Sequence, residues 1–147
     1  TNKGLVSGNT ITYIQDGGTG IWVSFEFAAE KFTLNNNVTI TKNKVFIPHG
    51  IKVVSGIWLF GPGDNITVSE NVFETEDKQG TAIMIKDRLN NKVNKKFFGN
   101  NIVIKNNEIK NFKVGINKTI SKQVATPVID YIDNNIINAD TAIINKQ

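Results

Sequence analysis

Five times the chain repeats one short pattern: apolar, x, x, Asn, x, apolar. The Asn positions are Asn9, Asn43, Asn71, Asn107 and Asn135, at intervals of 28 to 36 residues. Val6, Ile40, Val68, Ile104 and Ile132 stand three residues before them, and Ile11, Val45, Phe73, Ile109 and Ile137 two residues after. A pattern returning at such intervals describes a stack of similar units, each too small to bury its apolar face alone. In the middle three copies a second apolar residue (Val38, Ile66, Ile102) stands two positions further upstream. That two-residue alternation is the period of a strand.

Composition supports the same reading. Asn and Ile each occur 21 times. Ile packs well on a pleated surface, whereas Asn tolerates left-handed backbone and bonds locally, so the first suits strands and the second suits tight turns. The absence of Cys excludes disulfides and thiolate-bound metal. No apolar run is long enough to span a membrane as a helix. Net charge is +4, but Lys is scattered through turns and Arg88 is the sole Arg, so no nucleic-acid face is expected.

Each unit carries a third element: Gly20-Ile21-Trp22-Val23, Gly56-Ile57-Trp58-Leu59, Ala82-Ile83-Met84-Ile85, Gly115-Ile116-Asn117-Lys118 and Ala142-Ile143-Ile144-Asn145. One unit is therefore strand, two-residue Asn turn, strand, variable loop, strand, variable loop. The insert Arg88–Lys96 reads as an exposed basic loop. No composition shift marks a second domain, so residues 1–147 read as a single domain. The opening Thr1-Asn2-Lys3 and the mid-unit finish suggest a piece of a longer protein. Two positions depart from the pattern: the inward site five residues before the corner Asn holds Gly4 in the first unit and Asp130 in the last.

A three-strand unit with an Asn corner resembles one coil of a right-handed parallel β-helix of the pectate-lyase-like superfamily, with NosD-type repeats. Residues 63–74 and 99–112 carry the resemblance most clearly, and it covers nearly the whole chain. It implies an all-β solenoid of about five coils. It also implies that Asn9, Asn43, Asn71, Asn107 and Asn135 stack into a ladder of side-chain amides, as groups about 4.8 Å apart are able to do. Such a motif speaks for a fold far more than for a function.

If the Ile of each third element points inward, the next residue points out. Trp22, Trp58, Met84, Asn117 and Ile144 then form one outward column. Two exposed Trp one coil apart suit the faces of sugar rings, and in the resembled family this strand lines a polysaccharide groove. Alternatively, the loop carrying Glu26, Ala28, Ala29 and Phe32 folds over the column, or another subunit covers it.

Glycoside cleavage needs two carboxylates at set separations. Glu26, Asp64 and Asp87 fall at or just after the ends of three adjacent third strands. Asp16, Glu76, Asp77 and Asp140 fall in the loops before such strands. An elimination reaction would instead need a base and a cation, which Lys86, Asp87 and Arg88 together supply on paper. Asp87 is also where a Ca²⁺ ion would start, although no acidic cluster surrounds it in sequence. His49 reads as a bystander in a loop. Gly61-Pro62-Gly63-Asp64 reads as a turn without the Lys of a phosphate loop. The sequons at Asn37, Asn65 and Asn117 are expected by chance in so Asn-rich a chain.

The expectation from sequence is a polysaccharide-binding or polysaccharide-degrading module, of the lyase, hydrolase or phage-tailspike kind. It would act outside the cell, at its surface or on a virion. Its competitor is a non-catalytic structural β-helix of a tail fibre, adhesin or surface protein. That module would associate through its outer strand faces as a homo-oligomer such as a trimer, or stack on neighbouring coils. A periplasmic accessory protein of the NosD type is a third reading.

Overall fold

The computed structural model describes residues 3–24, 26–28, 31–33, 36–90, 95–122, 124 and 127–146; for 26–28, 31–33, 89–90 and 95–97 it gives the backbone course. The chain is all-β, and successive repeats pair in parallel. The first strands, Gly4–Ser7, Val38–Thr41, Ile66–Ser69, Ile102–Lys105 and Ile129–Ile132, form a five-stranded sheet in repeat order. The second and third strands form an eight-stranded sheet. Its two longest members, Val72–Lys86 and Glu108–Thr119, serve both positions, pairing with Lys44–Ile47 and Asn135–Ile137 through their first halves and with Ser55–Phe60 and Thr141–Lys146 through their second. Thr10–Thr12 and Thr19–Ser24 complete the set at the first repeat.

In-register pairing makes columns of like residues. Ile40, Val68 and Ile104 stack in one; Val45, Phe73 and Ile109 in a second; Ile57, Ile83 and Ile116 in a third, all buried. Each fully buried side chain of this kind is worth about 1.5–3 kcal/mol.

At the corner between the first and second strands runs the Asn ladder. The backbone N–H and Nδ2 of Asn43 both donate to Asn71 Oδ1, at 3.0 and 2.9 Å. Asn9 does the same to Asn43, and Asn71 to Asn107. Each Nδ2 also reaches a main-chain carbonyl, Asn71 to Ile40 and Asn107 to Val68. The residue before each rung holds left-handed backbone: Gly8, Lys42, Glu70, Asn106 and Asp133, with φ between 49° and 70°.

The last rung differs from the expectation. Asn107 donates to Asn134 Oδ1, and Asn134 Nδ2 to Ile104 O, so Asn134 and not Asn135 is the fifth rung. The first two strands of the last repeat shift by one residue: Ile129 pairs with Ile102, Tyr131 with Ile104, and Ile136 with Ile109, while its third strand keeps the expected register, with Ile143 beside Ile116. One residue of slip exchanges the two faces of a strand. It turns Asp130 outward and replaces it inside with Ile129, which removes the apparent misfit. Ile132 and Ile137 lie on the exposed side.

A second difference concerns the inserts. Arg88–Asn90 pairs antiparallel with Lys95–Phe97, so the 88–96 segment contains a hairpin where a plain loop was expected. Glu26–Ala28 pairs antiparallel with Lys31–Thr33 in the first repeat.

Gly20, Gly56, Ala82, Gly115 and Ala142 share one register position at the start of the third strands. A Cβ on Gly56 would stand 2.8 Å from the Phe73 ring and 2.9 Å from the Ala82 carbonyl oxygen. Gly56→Ala is therefore expected to cost about 1–3 kcal/mol by overpacking. An unchanged urea midpoint for that variant would show that the corner can relax.

Asn71→Ala is expected to cost about 3 kcal/mol or more, because it strands the buried donors of Asn43 and an Asn107 acceptor. Asn9→Ala, at the exposed end, is expected to cost under about 1 kcal/mol. Equal losses in urea unfolding would mean that the ladder is not what holds the interior.

Candidate functional site

Register pairing places Trp22 beside Trp58, Trp58 beside Met84, Met84 beside Asn117 and Asn117 beside Ile144. The outward column expected from sequence therefore exists. Two positions on, Ser24, Phe60, Lys86 and Thr119 form a parallel column. Trp22 is 60% exposed; of the loop expected to cover it, Ala29 and the side chains of Glu26, Ala28 and Phe32 lie outside the described residues. Trp58 and Met84 are half-buried.

The aromatic rings stack on one another. The Trp22 and Trp58 centroids are 5.8 Å apart, with planes 15° from parallel. Phe60 lies 4.9 Å from Trp58 and 6.5 Å from Trp22, tilted by 31° to each. Offset-stacked pairs of this kind contribute about 0.5–1.5 kcal/mol beyond the area they bury. The Trp58 indole nitrogen is buried without an acceptor among the described residues. Arg88 completes the cluster. Its guanidinium carbon lies 5.4 Å from the centre of the Phe60 ring, and its Nη1 donates to Ser24 Oγ. Arg88 belongs to the third repeat and Ser24 to the first, so this side chain crosses the second repeat over Phe60.

The expected catalytic trio is divided. Lys86 is exposed on the outer face, Asp87 is buried and accepts from Ser121 Oγ at 2.6 Å, and Arg88 is occupied with Phe60 and Ser24. Asp64 belongs to a corner. Its Oδ1 accepts from the Asn100 N–H at 2.7 Å, while its own N–H donates to Asn36 Oδ1 at 2.8 Å and Asn100 Oδ1 accepts from the Val128 N–H. Beside this stack, Asn65 Nδ2 donates to Asn37 Oδ1 and Asn101 Nδ2 to Asn65 Oδ1. Two of the sequon Asn residues are thus fixed in a corner ladder. The Glu26 side chain lies outside the described residues. Among the described residues no three His, Asp or Glu side chains converge as a metal site requires, and no helix is long and apolar enough to cross a membrane.

A contact missed by sequence reasoning joins the loop after Lys44–Ile47 to the strand Val72–Lys86, which holds Glu76 and Asp77 where a loop was expected. His49 Nδ1 and Asp77 Oδ1 are 2.7 Å apart, the Gly50 N–H donates to Asp77 Oδ2 at 2.7 Å, and the His49 N–H donates to Glu76 Oε2 at 2.6 Å. Lys78 pairs with Asp140 at 2.8 Å, and the Lys52 N–H donates to Asp16 Oδ1. These acids therefore hold loops in place. The signal was the repeat alignment itself: the register that sets Ile47 beside Thr75, continued by two residues, sets His49 level with Asp77. An open depression of about 450 Å³, lined by Lys3, Gly4, Leu5, Asn37, Thr39 and Asn65, includes none of the candidate residues.

No family model, curated protein or solved structure matches this chain.

The Gly50 N–H, and then the His49 ring, hold the Asp77 carboxyl below its ordinary value of 3.8. A carboxyl depressed in the folded state stabilises that state above its unfolded pKa, and the contribution fades as pH falls through the folded value. An NMR titration of Asp77 is expected to give a midpoint below 3.8, with the tie to the His49 loop loosening only under that pH. A midpoint at or above 3.8 would refute the hydrogen-bonded geometry.

Proposed function

We propose that the chain is a right-handed parallel β-helix of the pectate-lyase-like kind, and that it binds glycans through the Trp22 end of its outward column. The single observation that carries this reading is an exposed Trp stacked on a second Trp behind it. Sugar rings present faces of C–H groups, which pack favourably on the electron-rich face of an aromatic ring. A ring already packed on a neighbour has less conformational entropy to lose when it binds, so more of the contact energy is retained. Such a module belongs where glycans are met: outside the cell, on its surface or on a virion.

Binding is favoured over cleavage within these residues. Asp64 and Asp87 are both committed to neighbours, and Lys86, Asp87 and Arg88 do not face one space. The second reading, a structural module that packs laterally on further copies, draws on exposed Leu5 and Ile132 on the outer side of the first sheet.

The test is a panel of acidic and neutral polysaccharides followed by Trp fluorescence, new reducing ends and unsaturated-uronate absorbance. The expected result is a fluorescence change without new ends. Trp22→Ala is expected to weaken binding by at least about tenfold, equivalent to about 1.4 kcal/mol. Appearance of new ends would make the chain an enzyme. Silence in every channel, together with a trimer in sedimentation, would leave the structural reading standing instead.

A further inference from the structure

The resting geometry of the rings restricts what the column is able to hold. Flat aromatics in successive repeats suggest a platform for several sugars in a row. The two Trp rings do not form such a platform, because they face each other. A sugar ring placed between them would need about 3.5–4.0 Å of contact on each side, so about 7 Å or more between ring centres. The observed separation is 5.8 Å. Trp58 therefore has one face against Trp22 and is itself partly buried. Phe60 is tilted against Trp58, and the Arg88 guanidinium lies over its ring, anchored on Ser24. Further along the column come Met84, Asn117 and Ile144, none of which offers a flat ring. What remains is the side of Trp22 turned away from Trp58, on a residue 60% exposed.

We infer that this site takes one sugar ring at a time, seated on the outer face of Trp22, and that Arg88 closes the position a second ring would use on Phe60. The inference rests on the glycan-binding reading and narrows it. The ligand class is a chain-terminal or branching sugar, whose face is free on its own, rather than an internal run of a polymer. In such a site affinity is set by one stacking contact and does not grow with chain length. Arg88 is a positioning residue: it acts through Phe60 and Ser24 and does not touch the sugar.

The experiment uses the full chain and three length series, of β-1,4-linked glucose, β-1,4-linked N-acetylglucosamine and α-1,4-linked galacturonate, each from one to six units. Binding is read by Trp fluorescence. The expected result is a response to at least one series, with Kd constant within about twofold from the shortest binder to six units. A Kd that tightens by about tenfold or more between one and four units, the factor that 1.4 kcal/mol of added contact carries, overturns the single-ring inference and leaves glycan binding intact. No response to any series overturns both.

Arg88→Ala, checked for folding by circular dichroism, is expected to bare Phe60 and make two units bind at least about threefold tighter than one. Should that variant fail to fold, Arg88→Lys, which keeps the charge and loses the planar cover, takes its place. A folded variant with the same flat profile as the parent overturns the role given to Arg88.

Discussion

Everything in this molecule is indexed by a hydrogen bond that repeats once per turn. In each interior rung a carboxamide oxygen accepts from both the main-chain and side-chain N–H groups of the turn before, while its own Nδ2 finds a carbonyl. Buried amides are costly unless all their groups are met, by about 1–3 kcal/mol for each one left bare. In the observed register the interior rungs meet them. The same corner tolerates left-handed backbone at Lys42 and Glu70, residues that gain nothing from that conformation. The cost, about 1–2 kcal/mol each, is offset by the rungs that follow. Hydrophobic burial supplies most of the stability, but it is indifferent to a slide of two residues. The ladder is not.

Once the register of the third strands is fixed, their outer surface follows. Trp22 lies beside Trp58 because Ile21 lies beside Ile57. The spacing that brings the rings together also lets them cover each other, so regular stacking reduces the aromatic area open to solvent. Acidic residues meet a comparable fate. Asp64, Asp77 and Asp16 stand where a turn leaves main-chain N–H groups unpaired, and each is engaged by a donor from a neighbouring repeat. Carboxylates used in this way hold the loops, and they are poorly placed to act on a substrate.

Much of this was legible in the residues. Asn9, Asn43, Asn71 and Asn107 announced the rungs, and the Ile before each Trp announced which side the Trp would take. The last repeat misled because Asn134 and Asn135 are adjacent and the flanking Ile and Tyr residues satisfy either register. Choosing between them required noticing that one alternative buries Asp130. The pairing of His49 with Asp77 was missed because Asp77 was expected in a variable loop, whereas it lies in the continuous strand Val72–Lys86. The stacking of Trp22 on Trp58 was half visible: the column was clear, but the direction in which each ring turns depends on rotamers and on Arg88, two repeats away from Ser24. Nor did alternation reveal the pairing of Arg88–Asn90 with Lys95–Phe97, because segments of three mostly polar residues are too short to show a period.

The polarity of the ladder has an architectural consequence. From rung to rung every side-chain bond points the same way along the stack, from the Nδ2 of one Asn to the Oδ1 of the next. A segment from one corner Asn to the next is thus a complete unit, with an acceptor facing one neighbour and donors facing the other. Whole units can be lost or gained with each remaining rung still meeting an equivalent partner, whereas a partial unit breaks every column beyond it. Loop length between strands is free, since it lies outside the columns and lengthening it costs only slowly growing entropy. Such a molecule changes size in discrete steps and changes its surface continuously. Its dimensions and its specificity are therefore open to independent variation.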